Sequence, residues 1–501
     1  MTGHPTDHPN DHAPTHPTDH APTRPTDHAP THPAAPTPTH PTGTDLHLDL
    51  PPHGSRRTAL AQALREAVRG GRLAAGTRLP PYRSLAADLG VARGTVADAY
   101  AELVAEGWFT ARQGSGTRVA EGMPVRPARP APGPSAAPRA HRFDLTQGKP
   151  DPASFPRGAW SASARRALAG APAEAFGPGD PRGRPELRRA LAEYLARARG
   201  VRTDAEHIVV CAGFANGLRL LAGLRPRDWA VEAYGLPFHH GILAAAGVRP
   251  HAVPIDEDGA RTDALPARAR TALLTPAHQF PTGGPLLPGR RTAAVEWARA
   301  TGGVILEDDY DGEFRYDRKP VGALQGLAPD QVVYAGSLSK SLSPALRLGW
   351  LVLPDALAAQ VVAAKGLRES WTSAVDQLTF ADFLDSGAYD RHVRRMRQRY
   401  RARRDHLATA VARRAPGVRV TGIAAGLHAV LELPPGTEAV TLAAARKAGL
   451  LLDGLSEYRH PSAAEDSREG LVVGYAGLGD RGFGEAVEVL AATLSTLHRG
   501  L

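Results

Sequence analysis

The chain has 501 residues, is 42% hydrophobic and carries a formal charge of +9, which allows several domains with a sizeable core. Its one cysteine, Cys211, cannot form an intrachain disulfide, and a reducing cytoplasm is the expected compartment. No apolar run reaches the roughly 18 residues of a membrane-spanning helix, and the N-terminus lacks a signal peptide's apolar core, so no membrane partner and no export are expected.

Residues 1–50 form a His/Pro/Thr-rich stretch in which a unit like HPTDHAPT recurs. His4, His8, His12, His16 and His20 fall four apart, but prolines every few residues forbid the helix that would align them. A disordered tail is expected there, and no metal site.

Residues 51–120 read as a compact module. Leu60, Leu64 and Val68 place one apolar stripe on a first helix. A second helix is expected around Arg83 to Leu89, a turn at Gly90, and a third helix over ARGTVADAYAEL. The segment EGWFTARQGSGTRVA then predicts a strand, a Gly-Ser-Gly tip and a strand, which together make a wing. Charge concentrates here: residues 56–119 hold ten arginines and five acids. Double-stranded DNA is the polyanion such a helix-turn-helix binds, the start of its third helix meeting bases and phosphates. Arg93 and Thr95 occupy that start. Arg83, with Ser84 beside it, is expected to open the second helix, where backbone N–H groups favour a phosphate. Arg112 flanks the wing, and Gly114 and Gly116 permit close backbone approach. The run from Gly71 to Ala120 resembles the GntR family of bacterial regulators nearly end to end. Pro81-Tyr82 and Ala92-Arg93-Gly94 stand where that family more often has small polar residues.

Residues 121–142 are Pro-rich, without apolar periodicity, and read as a semi-extended linker. From 143 to 501, short β-like runs (HIVVCAG, WAVEAY, TALLTP, GVILEDD, QVVYAGS, LGWLVLP) alternate with helical stretches. That alternation predicts an α/β domain with a mostly parallel sheet.

Four kinds of group serve a pyridoxal 5'-phosphate (PLP) site: a lysine, an acid for the ring nitrogen, donors for the phosphate and a phenol for the ring oxygen. Asp308 ends the strand in GVILEDDYDGEFRY, with Tyr310 two residues on. The turn in VVYAGSLSKSLSPALRLGW offers Lys340, with Ser337, Ser339 and Arg347 as phosphate ligands, Arg347 about two helical turns past the lysine. VVCAGFANGL predicts a strand, a glycine turn and a helix whose first amides, around Gly213, Phe214 and Ala215, cradle phosphate. Together and in this order these motifs resemble class I aminotransferases of PLP fold type I. TPAHQFPTGG is similar to a family turn that puts Phe280 where many aminotransferases have an asparagine touching the ring oxygen.

The combination of GntR-type winged helix, Pro-rich linker and aminotransferase-like domain resembles the MocR/GabR subfamily over residues 56–501. The resemblance implies PLP as a Schiff base on Lys340, effector sensing in place of metabolic transamination, and a homodimer. In such dimers the winged helix of one subunit packs on the aminotransferase-like domain of the other. The effector is expected to be PLP itself or a small amine or amino acid. Two departures weigh against ordinary turnover. Leu236 in VEAYGLPFHH aligns with a tyrosine that stacks on the cofactor, although Tyr234, Phe238 or His239 can shift in. Val472 in GLVVGYAGL takes the place of the arginine that grips a substrate α-carboxylate, leaving Arg459 as a substitute. An active aminotransferase with a DNA-binding appendage, or a degenerate cofactor-free domain, are the competing readings.

Overall fold

The computed structural model describes residues 48, 50, 55–112, 116–121, 141–316, 321–366, 372–464 and 468–497. The histidine repeat, nearly all of the Pro-rich segment and Gly114 lie outside them. The chain divides into two compact units, Met1–Pro138 and Arg139–Leu501.

In the first unit, the Ser55 hydroxyl accepts from the Thr58 amide and starts the helix Arg56–Arg69. Its stripe of Leu60, Leu64 and Val68 is buried. These residues share a core with Val96, Tyr100 and Leu103 of the third helix, Arg93–Ala105. The second helix spans Tyr82–Asp88, so Tyr82 opens it and Arg83 comes second. The reason is local: Pro81 takes the cap, and the Tyr82 ring packs edge-on against Tyr100 at 5.3 Å. Gly90, at φ +61°, makes the turn between second and third helices. The wing strands Phe109–Arg112 and Gly116–Val119 pair antiparallel with Arg112 opposite Gly116.

The second unit is built on a seven-stranded sheet. In spatial order its strands are Ile208–Cys211, Gly349–Val352, Val332–Ser337, Val304–Asp308, Thr271–Leu274, Asp228–Glu232 and Arg249–Val253. All run parallel except Gly349–Val352, which is antiparallel to both neighbours. Strands inside the sheet, such as Gly349–Val352 and Val332–Ser337, are almost wholly apolar because both faces are covered, whereas the edge strand Arg249–Val253 is only partly covered. Ile305 and Leu306 point to opposite faces, and are 0% and 1% exposed. A smaller antiparallel sheet contains Arg419–Thr421, His428–Leu433, Glu469–Gly474 and Asp453–Gly454. Among the described residues, no helix is long and apolar enough to cross a membrane.

A candidate cofactor cavity and a candidate DNA-binding face

In an open α/β sheet, ligands gather at the carboxyl ends of the strands. Here those ends carry Glu232, Asp308 and Ser337, with Gly213 and Thr275 just beyond theirs. All but Gly213 line one cavity of about 260 Å³, together with Lys340, Arg347, Tyr310, Phe280 and Ala215. Lys340 Nζ donates to the Gly148 carbonyl at 2.8 Å. Gly148 sits at φ +78°, and a β-carbon there would collide with Nζ, so glycine is what admits the lysine tip. Burial lowers the pKa of the Lys340 ammonium, opposed by Asp311 and Asp308.

Asp308 is 7% exposed and has no hydrogen-bond partner among the described residues. Burial, reinforced by Asp309, raises its pKa well above the ordinary carboxylate range. A buried ionised carboxylate needs a charged or donating partner. The protonated ring nitrogen of a pyridine cofactor fits that requirement.

The strand Ile208–Cys211 passes through Gly213, at φ +80°, into the helix Phe214–Leu224. The expected strand, glycine turn and helix are therefore present. A β-carbon on Gly213 would meet the Arg347 guanidinium at 3.5 Å, and one on Gly349 would come within 2.9 Å of the Gly213 α-carbon. Bare backbone here leaves helix-start amides and a guanidinium facing one space. Ser337 and Ser339 add hydroxyls to the same wall. The region from Lys340 to Arg347 is not two helical turns, as its spacing suggested. It is a turn followed by the short 3-10 helix Pro344–Leu346. The chain must reverse there to enter the antiparallel strand, and Arg347 takes a left-handed conformation, φ +49°, while donating to the Ala212 carbonyl at 2.7 Å.

Leu236, Tyr234, Phe238 and His239 all line the cavity. The Tyr234 face is covered by the Arg468 guanidinium, 5.0 Å from its centroid, and Phe238 is 58% exposed. His239 packs against Phe214 at 4.7 Å, and burial depresses its imidazole to about 3, so it is neutral. Of the aromatic alternatives to Leu236, it is the half-buried ring of this wall. Phe280 contacts Tyr310, His428 and Tyr458 edge-on at 5.7, 5.2 and 5.3 Å. Val472 is 0% exposed, in an apolar cluster with Phe280, Tyr458, Leu455 and Val430. Arg459 is exposed and is not in the cavity wall.

Sequence reading missed polar groups in the cavity wall and just behind it. Glu232 accepts from the Thr275 amide and hydroxyl and from Gln279, while burial pushes it up to about 7. His278, in the same TPAHQFPTGG motif that drew attention to Phe280, bonds Tyr310 at 2.9 Å. The signal was a histidine and a glutamine next to that phenylalanine, two polar types that a turn alone does not need.

In the first unit, Arg83, Ser84, Arg93, Arg112 and Gly116 are exposed and Thr95 is half-buried. Arg83, Arg93 and Arg112 have no ion-pair partner among the described residues. Not every arginine of the module is available in this way. Arg65 bonds Glu102 of the third helix and Glu106 at its C-terminal cap, at 2.7 and 2.6 Å, and ties two helices together.

A winged helix and an aminotransferase-type α/β unit define a DNA-binding protein with an aminotransferase-like domain. Residues 56–119 match the family model of bacterial regulatory proteins of the gntR family, and residues 141–461 match aminotransferase class I and II. The chain is 35% identical over 440 residues to the pyridoxine biosynthesis transcriptional regulator PdxR of Corynebacterium glutamicum, covering 86% of this chain and 94% of that one. It is 31% identical over 481 residues to MocR of Rhizobium meliloti, covering 91% and 96%. Among solved structures, the Pyrococcus horikoshii kynurenine aminotransferase shares the fold, with TM-score 0.65 and 22% identity over 72% of this chain and 92% of that one. The chain belongs to the GntR family, in the MocR-type group whose winged helix is joined to an aminotransferase-like domain, and is a transcriptional regulator.

Proposed function

We propose that this regulator holds PLP on Lys340 and takes the cofactor, or an amine or amino acid that reacts with it, as its signal. One observation carries the reading: Lys340, Tyr310, Arg347 and the buried Asp308, which has no hydrogen-bond partner among the described residues, converge on a single cavity, with Gly213 beside Arg347. When bound, PLP supplies an electrophilic carbonyl and an electron-withdrawing ring. Asp308 holds a proton on the ring nitrogen. Gly213, Phe214 and Ala215 offer amides to the phosphate, with Ser337, Ser339 and Arg347 as further donors. Phe280 stands where an asparagine would hydrogen-bond. The relative PdxR bears a name tied to pyridoxine biosynthesis, which favours the cofactor itself as the signal.

Residues 51–120 carry the DNA contacts. Arg93 and Thr95 at the head of the third helix face bases, and Arg83 and Ser84 face phosphates. Arg112, Gly114 and Gly116 bring the wing against the backbone of the duplex. Residues 143–501 form the effector domain of a cytoplasmic homodimer.

The test is borohydride reduction of the PLP-treated full chain with peptide mapping, beside gel shifts on its own upstream DNA with and without PLP. Visible absorbance, label on Lys340 and a PLP-dependent change in DNA affinity are expected, all lost in Lys340→Ala. A wild-type chain that stays colourless, takes no label and binds DNA identically in both conditions refutes the reading.

A further inference from the structure

Behind the cavity, Tyr310 touches a polar pair that the cofactor reading does not use. His278 Nδ1 lies 2.9 Å from Asp311 Oδ2 and 2.9 Å from the Tyr310 hydroxyl oxygen. His278 is 3% exposed and Asp311 2%. A β-carbon on Gly426, at φ +76°, would sit 2.5 Å from Asp311 Oδ2 and from His278 Cε1. The pair therefore occupies space that only a glycine leaves.

One ring nitrogen meets two oxygens, and it either donates or accepts. If Nδ1 were bare, it would accept the phenol hydrogen, and the buried Asp311 carboxylate would face a lone pair. No other hydrogen bond reaches that carboxylate among the described residues, so this arrangement leaves a buried charge unpaired, at large cost. With the proton on Nδ1, the N–H serves Asp311 and also faces the phenol oxygen. The phenol hydrogen then has no acceptor behind it and turns to the cavity that Tyr310 lines.

We propose that the Asp311–His278 pair is a positioning device that makes Tyr310 a donor into the cavity, aimed at the ring oxygen of PLP. This rests on the cofactor reading above. The neighbouring titratable groups among the described residues fit. Burial, with Asp311, Asp308, Glu232 and Tyr475, keeps Tyr310 a neutral phenol. The neighbouring His428, 5.4 Å from His278, donates from Nε2 to the Pro281 carbonyl at 3.1 Å and is held neutral, down to about 3, chiefly by burial. Lys340 interacts electrostatically with Asp311 and Asp308.

A donor on the ring oxygen withdraws the negative charge that favours a proton on the adjacent lysine-derived nitrogen. Losing the donor raises the pH midpoint of the visible absorption change. The experiment titrates that spectrum in the PLP-loaded full chain for wild type, Tyr310→Phe, His278→Leu, His278→Asn and the Tyr310→Phe/His278→Leu double variant. One hydrogen bond corresponds to a rise of about half to one pH unit. His278→Leu is expected to rise as Tyr310→Phe does, and the double variant no further than Tyr310→Phe alone. His278→Asn, whose amide N–H stands near the Nδ1 position, is expected to keep the wild-type midpoint. If the leucine variant does not fold by circular dichroism, Asp311→Asn replaces it. It removes the charge that fixes the Nδ1 proton and is expected to raise the midpoint. A folded, loaded His278→Leu or Asp311→Asn with the wild-type midpoint overturns the proposal, as does an additive double variant. A wild type that takes up no PLP overturns the cofactor reading and this inference with it.

Discussion

At the scale of single residues, Val472 has the plainest chemical consequence. An arginine at this place on the strand Glu469–Gly474 would grip an α-carboxylate with two charge-assisted bonds. The residue instead closes an apolar cluster with Phe280, Tyr458 and Val430. A carboxylate entering there loses water and gains no cation. Charge-assisted bonds contribute about 1.5–3 kcal/mol each, so affinity for simple α-amino acids drops at least roughly tenfold. The PLP-loaded chain is expected to convert slowly and incompletely when mixed with a panel of common α-amino acids, followed by the change in cofactor absorbance. Rapid, complete conversion with several of them would mean that another cation supplies the grip. The substitution was visible in the sequence because the flanking pattern is intact. The Tyr310–His278 bond was not, since 32 residues separate the partners and only the sheet register brings their strands side by side.

Among elements, the third helix of the first unit bears the most testable surface. Its buried face, Val96, Ala99, Tyr100 and Leu103, is fixed by packing, whereas Arg93 at its first position is exposed. Arg93→Ala is expected to weaken operator binding by roughly 1–3 kcal/mol if the side chain reads a base. If it meets a phosphate, the salt dependence flattens by about one unit. Gel shifts across a salt series distinguish these outcomes, and an unchanged affinity and slope for Arg83→Ala, Arg93→Ala and Arg112→Ala would remove the module from DNA recognition. The winged helix was legible because its apolar periodicity, turn glycines and wing follow one another within 70 residues, each decided by local chemistry. The large sheet was legible as alternating runs, but its strand order was not. Nothing local in LGWLVLP says that Gly349–Val352 runs backwards between Ile208–Cys211 and Val332–Ser337. That reversal is also why the seven-residue step from Lys340 to Arg347, whose spacing read as helix, is a turn.

For the whole molecule, a cofactor that binds only the folded state stabilises the unit that holds it. At a free concentration 100 times the dissociation constant, the gain is about 2.7 kcal/mol. Calorimetry of the full chain is expected to show the melting of the 139–501 unit rising by about 3–4 °C with PLP, at roughly 1.3 °C per kcal/mol for a unit this long. Lys340→Ala is expected to lose most of that rise. An equal rise in both proteins would place the binding energy elsewhere. The backward strand has one more consequence. A chain leaving a parallel strand must cross the whole sheet before it can return to the same rim. Because Gly349–Val352 departs from the rim where Val332–Ser337 arrives, the stretch between them never leaves it. Lys340 and Arg347 thus both lie in the one connection that joins these two strands. A ligand held by both would be a clasp across that connection, and its arrival or departure would be felt first as slack or tension between two neighbouring strands, the second and third of the seven.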